Sequence, residues 1–330
     1  MSEDERYMLR CLDRALLGQG NVAPNPMVGC VIVHNGQIIG EGYHEKIGEA
    51  HAEVNAINSV ADKSLLPHST IYVSLEPCAH FGKTPPCADL IVKHQLKRAV
   101  IAVQDPFSKV NGAGIKRLTD AGIEVTVGVM ESEAKELNKR FFTFHEKQRP
   151  YIILKWAETA NGFVDEIRTD ASEPSLKITG DAANTLVHKW RSEEAAIMVG
   201  KNTALLDNPS LTTRKYRGKN PIRILLDSNS DVPKSANIFN DEAETIVLSE
   251  KTRNLESVLT DLRKRGIQSV IVEGGPKLHL SFFEIGLWDE IRRFISPMEI
   301  GTGMEALKLN ETPKSESEIG NDRLLIYRNR

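Results

Sequence analysis

The stretch SLEPCAHFGKTPPCADLI, residues 74–91, decides how this chain is read. Two cysteines, Cys78 and Cys87, each follow a proline, with eight residues between them. The strand pattern STIYVSLEPC runs into the first, and the helical pattern CADLIVKHQL starts at the second. Just upstream, GEAHAEVNAINSV reads as a helix that carries His51 and Glu53 near its start. The cysteines are an oxidised pair, two buried thiols, or two corners of a metal site.

Composition removes the first option. Four cysteines in 330 residues, behind an acidic start with no apolar signal core, point to a reducing cytoplasm. There a close cysteine pair is more often metal-binding or catalytic than bridged. A net charge of −3 gives no broad attraction for nucleic acid. No run of about 18 apolar residues is present to cross a membrane. The length suits two domains of roughly 150 residues each.

Catalytic zinc takes three protein ligands and keeps one position open, so two thiolates need one partner. His51 supplies it. Cys87, at a helix start, gains from the positive end of the helix dipole. Glu53, two residues past His51, is placed to carry a proton rather than to ligate. The order H-x-E then P-C is the signature of zinc-dependent base deamination, in which the Glu is the proton shuttle. The second cysteine departs from that signature, with eight intervening residues where two are usual. A lone H-x-E or a lone buried cysteine would be an ordinary structural feature. The ordered set with a strand between is not. His80 could close a structural four-ligand site, but it is expected to face substrate.

Around this core, strands and helices alternate. A capping box at Ser2 and Glu5 opens a helix, and an Asn35-Gly36 turn joins a hairpin. SEAKELNKRFFTFHEK closes the first domain as one helix. HEKQRP, residues 145–150, marks the boundary, giving domains over 1–146 and 150–330. The alternation then restarts: YIILKWA, AAIMVG, PIRILLD, ETIVLS, SVIVEGG and IRRFISP are strands. TGDAANTLVHKWRSEE is a helix with Thr179 at its N-cap, and PKLHLSFFEIG a helix with Pro276 in its first turn. The fold class is α/β throughout, with a three-layer α/β/α first domain. GAGIKRL, near 112–118, looks like a dinucleotide loop but lacks its third glycine and reads as turn and helix entry. Glu273-Gly274-Gly275, where a strand gives way to a helix, is a candidate phosphate cradle. Arg191 and Arg214 are candidate phosphate partners.

PNPMVGCVIV, GYHEKIGEAHAEVNAI, SLEPCAHFGKTPPCADLI and VQDP, in that order, resemble the deaminase half of the bifunctional riboflavin-biosynthesis deaminase/reductase family. RPYIILKWAETANGF, KITGDAANTLVHKWRSEEAAIMVGKNTALLDNPSLTTR, PIRILLDS and VEGGPKL resemble its reductase half. The long cysteine spacer belongs to that branch. The resemblance implies a cytidine-deaminase-like domain followed by a dihydrofolate-reductase-like one. It implies deamination of a 2,5-diamino-6-ribosylamino-pyrimidinone 5′-phosphate, then NADPH-dependent reduction of the ribosyl group to a ribityl chain. It puts the deaminase substrate on Asn25, His44, His80, Lys83 and Asp105. It puts NADPH on Ala157, Lys177, Thr203, Asp207, Ser228 and the run from Gly275. It puts the reductase substrate on Ser175, Arg191, Leu211, Arg214 and Glu273. A cytoplasmic homo-oligomer follows, with a small phosphorylated substrate and no nucleic-acid or membrane partner.

Two residues depart from the family. Asn161 stands where an acid is usual, and Lys177 where an aromatic is. Residues 165–174, DEIRTDASEP, align poorly. Two rivals follow. One is a zinc deaminase of another base, a nucleoside or tRNA adenosine. The other is a zinc-stabilised module whose second half only binds a nucleotide.

Overall fold

A computed structural model describes residues 1–81, 85–108, 110–248 and 254–329. The chain divides into two compact units, Met1–Lys147 and Gln148–Arg330.

The first unit runs α1 (Glu3–Leu16), β1 (Gly29–His34), β2 (Gln37–Tyr43), α2 (Ala52–Ser59), β3 (Thr70–Val73), α3 (Cys87–Lys93), β4 (Arg98–Ile101), α4 (Ala113–Asp120), β5 (Glu124–Val127), α5 (Glu131–Leu137) and α6 (Lys139–Glu146). Its sheet has the order β2-β1-β3-β4-β5, with β3, β4 and β5 parallel and β1 antiparallel to both neighbours. Alternation along each strand makes the three layers. Cys30, Ile32, Ile71, Val73, Ala99 and Ile101 face α2, α3 and α4. Val31, Val33, Tyr72 and Val100 face α1, α5 and α6.

The capping box forms as expected, with Ser2 Oγ accepting from the Glu5 N–H at 3.1 Å and Glu5 returning the bond at 2.6 Å. Two expectations are corrected. β3 stops at Val73, not Cys78, so residues 74–81 leave the sheet and carry the first sulfur away from it. The closing helix breaks at Asn138 into α5 and α6. Its buried amide pairs with both the N–H and the C=O of Met27, each at 2.8 Å, and so competes with helix continuation.

The second unit runs β6 (Tyr151–Glu158), β7 (Phe163–Asp165), α7 (Asp181–Glu193), β8 (Ala196–Gly200), α8 (Lys201–Asp207), β9 (Ile222–Leu226), β10 (Thr245–Leu248), α9 (Leu255–Lys264), β11 (Ser269–Gly274), α10 (Pro276–Glu284), β12 (Glu290–Ile295), β13 (Met304–Glu305), β14 (Ser315–Ile319) and β15 (Asp322–Arg328). The eight-stranded sheet has the order β10-β9-β8-β11-β6-β12-β15-β14. Its first six strands are parallel, and β15 and β14 add on antiparallel. Helices cover both faces: α9 and α10 pack on one, α7 and α8 on the other. α7 starts at Asp181, one residue later than expected, with Gly180 in extended backbone as the N-cap and its N–H donating to Asp322 Oδ2 at 2.8 Å.

Candidate active sites

In the first unit three ligand-type side chains converge. His51 is the N-cap of α2, Cys87 is the first residue of α3, and Cys78 sits on the segment between β3 and α3. His51 Nδ1 lies 3.6 Å from Cys78 Sγ and 3.3 Å from Cys87 Sγ. All three donor atoms lie within 4.8 Å of one another. Tetrahedral zinc at its usual bond lengths sets nitrogen and sulfur about 3.6 Å apart, so the donor set fits the ion in both chemistry and spacing. Cys78 accepts the Cys87 N–H at 3.3 Å, so the start of α3 favours charge on Cys78 rather than on its own Cys87. The contact with Cys87 holds the Cys78 thiol below the usual thiol range, and the same contact pushes Cys87 up.

Glu53 lies in the first turn of α2 and is buried. Burial, then the charge on Cys78, pushes its carboxyl up to about 7. Asn25 and His44 form a pair beside the cluster. His44 Nδ1 faces the Ala50 carbonyl at 3.0 Å, so it carries the hydrogen. Nε2 of the neutral ring then accepts from Asn25 Nδ2 at 3.1 Å. The His44 ring meets His51 edge-on, with centroids 5.4 Å apart. Asp105 is buried, accepts from the Phe107 N–H at 2.8 Å, and is pushed up to about 6 by burial. His80 is exposed and stands edge-on to Phe107; it is not in the ligand cluster. Lys83 lies outside the described residues.

Sequence reasoning missed Glu76. Its buried carboxylate accepts four backbone N–H groups, from Asp105, Gly112, Gly114 and Ile115, at 2.8–3.1 Å. This ties the Pro77-Cys78 segment to the Asp105 loop and to the entry of α4. It also explains GAGIKRL. A Cβ on Gly114 would stand 2.0 Å from the Pro77 carbonyl oxygen. The glycines serve packing under the metal loop.

In the second unit a cavity of about 690 Å³ opens at the carboxyl ends of β6, β8 and β11, where ligands bind in open parallel sheets. Ala157, Lys177, Thr203, Asp207, Glu273 and Gly275 lie on its wall. Gly274 has φ +144°, and a Cβ on Gly275 would stand 3.3 Å from Thr203 Oγ1, so bare backbone faces that hydroxyl. α10 starts there without a side-chain cap; Pro276 has no N–H and the Leu278 N–H donates to the Gly275 carbonyl at 2.9 Å, so what this turn offers an anion is the Lys277 N–H and the positive end of the helix. Volume and cradle both suit a dinucleotide. Ser228 follows β9, is exposed, and is not on this wall; neither are Ser175, Leu211 and Arg214.

Arg191 does not point an open guanidinium at the cavity. It grips Glu273 in two bonds of 3.0 and 2.6 Å. Burial raises the Glu273 carboxyl, but Arg191 and Lys155 outweigh it and hold it at about 2. Lys155, on the same wall, is lowered by burial. A lysine inside the apolar run YIILKWA was the signal that reasoning passed over.

The departures now have places. Asn161 Nδ2 donates to the Ile300 carbonyl at 2.6 Å, and its Oδ1 accepts from Thr159 Oγ1 at 2.8 Å. A carboxylate could not make the first bond. Lys177 is exposed on the cavity wall, 3.8 Å from Asp181. The poorly aligned segment folds onto the cavity rim through Arg168, which pairs with Asp165 and Asp207.

Residues 1–103 match the cytidine and deoxycytidylate deaminase zinc-binding region, and residues 150–322 match the RibD C-terminal domain. The chain is 39% identical to a riboflavin biosynthesis protein RibD of Aquifex aeolicus, over 98% of each chain. It is 37% identical to RibD of Escherichia coli, over 92% of this chain and 90% of the other. Its structure is similar to that of a diaminohydroxyphosphoribosylaminopyrimidine deaminase/5-amino-6-(5-phosphoribosylamino)uracil reductase from Thermotoga maritima. That likeness has a TM-score of 0.89, 35% identity, and 99% of each chain covered.

Proposed function

Because this chain belongs to the RibD riboflavin biosynthesis family, we propose that its two units carry out consecutive steps on one phosphorylated pyrimidine. The enzyme is a zinc-dependent deaminase and an NADPH-dependent reductase, built from a cytidine-deaminase-like unit and a dihydrofolate-reductase-like unit. The first unit, over 1–146, takes 2,5-diamino-6-ribosylamino-4(3H)-pyrimidinone 5′-phosphate. The second, over 150–330, reduces the deaminated product to the ribitylamino-uracil phosphate. The observation that carries the reading is the buried Glu53 beside His51, Cys78 and Cys87.

His51, Cys78 and Cys87 would hold the zinc. Zinc in a three-ligand site acidifies a water and supplies the nucleophile at neutral pH. Glu53 takes the proton of the attacking water and delivers it to the leaving nitrogen. A C–O bond forms, the C–N bond breaks, and ammonia departs. A carboxyl that burial raises above its ordinary range can both take and give that proton. Asn25 presents its amide to the pyrimidine edge, oriented by His44. His80 and Lys83 meet the phosphate side, and Asp105 closes the ring pocket.

In the second unit NADPH supplies the hydride, and the protein aligns the two reactants. Ala157, Lys177, Thr203, Asp207 and Gly275, on the cavity wall, bind the cofactor, with Ser228, off that wall, assigned to it by the family resemblance alone. Ser175, Arg191, Leu211, Arg214 and Glu273 bind the substrate, with Arg191 acting through its hold on Glu273. Among the described residues no helix is long and apolar enough to cross a membrane. A cytoplasmic homo-oligomer without nucleic-acid partners completes the proposal. The test is zinc content measured beside ammonia release from the diaminopyrimidinone phosphate, followed by NADPH consumption on the product. Zinc-loaded protein that releases no ammonia overturns the deaminase reading, and product that leaves NADPH untouched overturns the reductase reading.

A further inference from the structure

Helix α7 holds the segment from Leu211 to Arg214 with two side chains one turn apart. Arg191 Nη1 donates to the Thr212 carbonyl at 3.2 Å. His188 Nδ1 accepts the Arg214 N–H at 3.0 Å. Both residues lie three apart on α7, so they share a face. The segment needs this support. Leu211 stands at φ +54°, a left-handed conformation that disfavours a residue with a side chain by about 1–2 kcal/mol. Leu211 is buried against Val187, Trp190 and Ala204, so only the far end, at Arg214, emerges into solvent.

We propose that His188 is a positioning residue of the reductase: its neutral imidazole fixes the main chain at Arg214, and so aims that guanidinium at the phosphate of the substrate. The proposal rests on the reading that Arg214 grips substrate. A backbone N–H can only donate, so Nδ1 must offer its lone pair and the ring hydrogen sits on Nε2. A second proton on the ring would set N–H against N–H. The groups around the ring resist that proton. Arg191 faces it from α7, and Arg214 and Lys215 from the segment itself, against the single acid Glu273 from β11. Burial and these cations hold the ring neutral down to about pH 4. Arg214 Nη1 is steadied by Thr212 Oγ1 at 3.0 Å, which leaves further donors for a phosphate monoester.

The test compares two polar replacements in the full-length, zinc-loaded protein. His188→Asn puts an acceptor oxygen on the γ-carbon, where Nδ1 stands. His188→Gln puts its amide one bond further out and cannot reach the Arg214 N–H in the same way. Steady-state reduction is followed with the deaminated phosphate substrate and NADPH. We expect His188→Gln to raise KM for the substrate about tenfold, the worth of one hydrogen bond, while kcat and the KM for NADPH stay within about twofold. His188→Asn should restore the substrate KM to within about threefold of the parent. Equal substrate KM in the two variants overturns the proposal, as does a parallel loss of NADPH affinity, which marks a purely structural role. Arg214→Gln separates the two levels. If it leaves substrate KM unchanged, the reading of Arg214 fails. If it raises KM while the histidine variants do not differ, only the role of His188 fails.

Discussion

The backbone N–H of Cys87 donates to Sγ of Cys78 across 3.3 Å, so the first turn of α3 supports the sulfur that the preceding segment delivers. One ligand is thereby oriented by the main chain of another. Replacing Cys78 with alanine removes both a ligand and the acceptor of that N–H. Zinc per chain, measured by atomic emission, should fall from about one toward zero, and ammonia release should vanish. Reduction of the deaminated substrate should persist, because its residues lie in the second unit. Retained zinc in Cys78→Ala would sink the ligand assignment.

Glu53→Gln tests the proton carrier apart from the metal. The amide matches the carboxylate in size but cannot take up a proton. Zinc content should stay at parent level. Ammonia release should drop by about 10²- to 10⁴-fold, the usual worth of a general acid–base group. A variant with near-normal turnover would transfer the proton role to another residue.

The convergence of His51, Cys78 and Cys87 was legible in the sequence because few residue types bind zinc, and these are those types in an ordered set. Most strands were legible because short apolar runs bounded by turn residues are a local signal. Glu76 was not. Its four partners are backbone N–H groups 29–39 residues away, and nothing local marks such a site. β14 escaped because SESEI is almost wholly exposed at a sheet edge and carries no apolar face to read. Thr179 had the chemistry of an N-cap, but Gly180 holds that position, in extended backbone and bonded through its N–H to Asp322, distant in sequence. Local rules failed where a long-range polar contact set the backbone.

Gly114 makes that long-range contact testable. An alanine there puts a methyl carbon 2.0 Å from the Pro77 oxygen, a backbone atom that cannot move cheaply. The Pro77-Cys78 segment must shift. Gly114→Ala should destabilise the first unit by about 1–3 kcal/mol and speed zinc loss to a chelator. Gly301→Ala is the control, since its added methyl meets nothing within 4 Å. Equal zinc-release rates in the two variants would show that the glycine is not needed for the metal loop.

The Arg191–Glu273 pair is largely shielded from water, with side chains 12% and 8% exposed. Removing one partner strands the other charge. Glu273→Ala should cost the second unit about 3–5 kcal/mol and abolish reduction. All three tryptophans, Trp156, Trp190 and Trp288, lie in the second unit, so their fluorescence in urea reports that unit alone. A midpoint unchanged by Glu273→Ala would mean that Arg191 finds another partner or water.

The same fluorescence reads the pH response of two buried histidines. His188 and His279 are each held down to about 4, mainly by burial. His279 donates from Nε2 to the Val272 carbonyl at 3.0 Å and packs on Trp156, where a charged ring would be costly. An unfolded histidine takes its proton near pH 6.5. Between about 6.5 and 4 the unfolded chain therefore binds more protons than the folded one, and stability falls as pH falls. Above 6.5 the contribution is complete and flat. Glu273, held at about 2 against an ordinary 4.5, adds a further loss that begins near pH 4.5 and continues as pH falls toward 2. The urea midpoint should be level from pH 8 to 7 and decline from 6.5 to 4. His279→Leu lowers the midpoint at pH 7 by leaving the Val272 carbonyl unpaired, yet it removes one proton-binding site from the unfolded chain. Its midpoint should therefore decline less steeply between 6.5 and 4 than the parent's. An equal slope would mean that His279 is already protonated in the folded state, against its full burial beside Trp156.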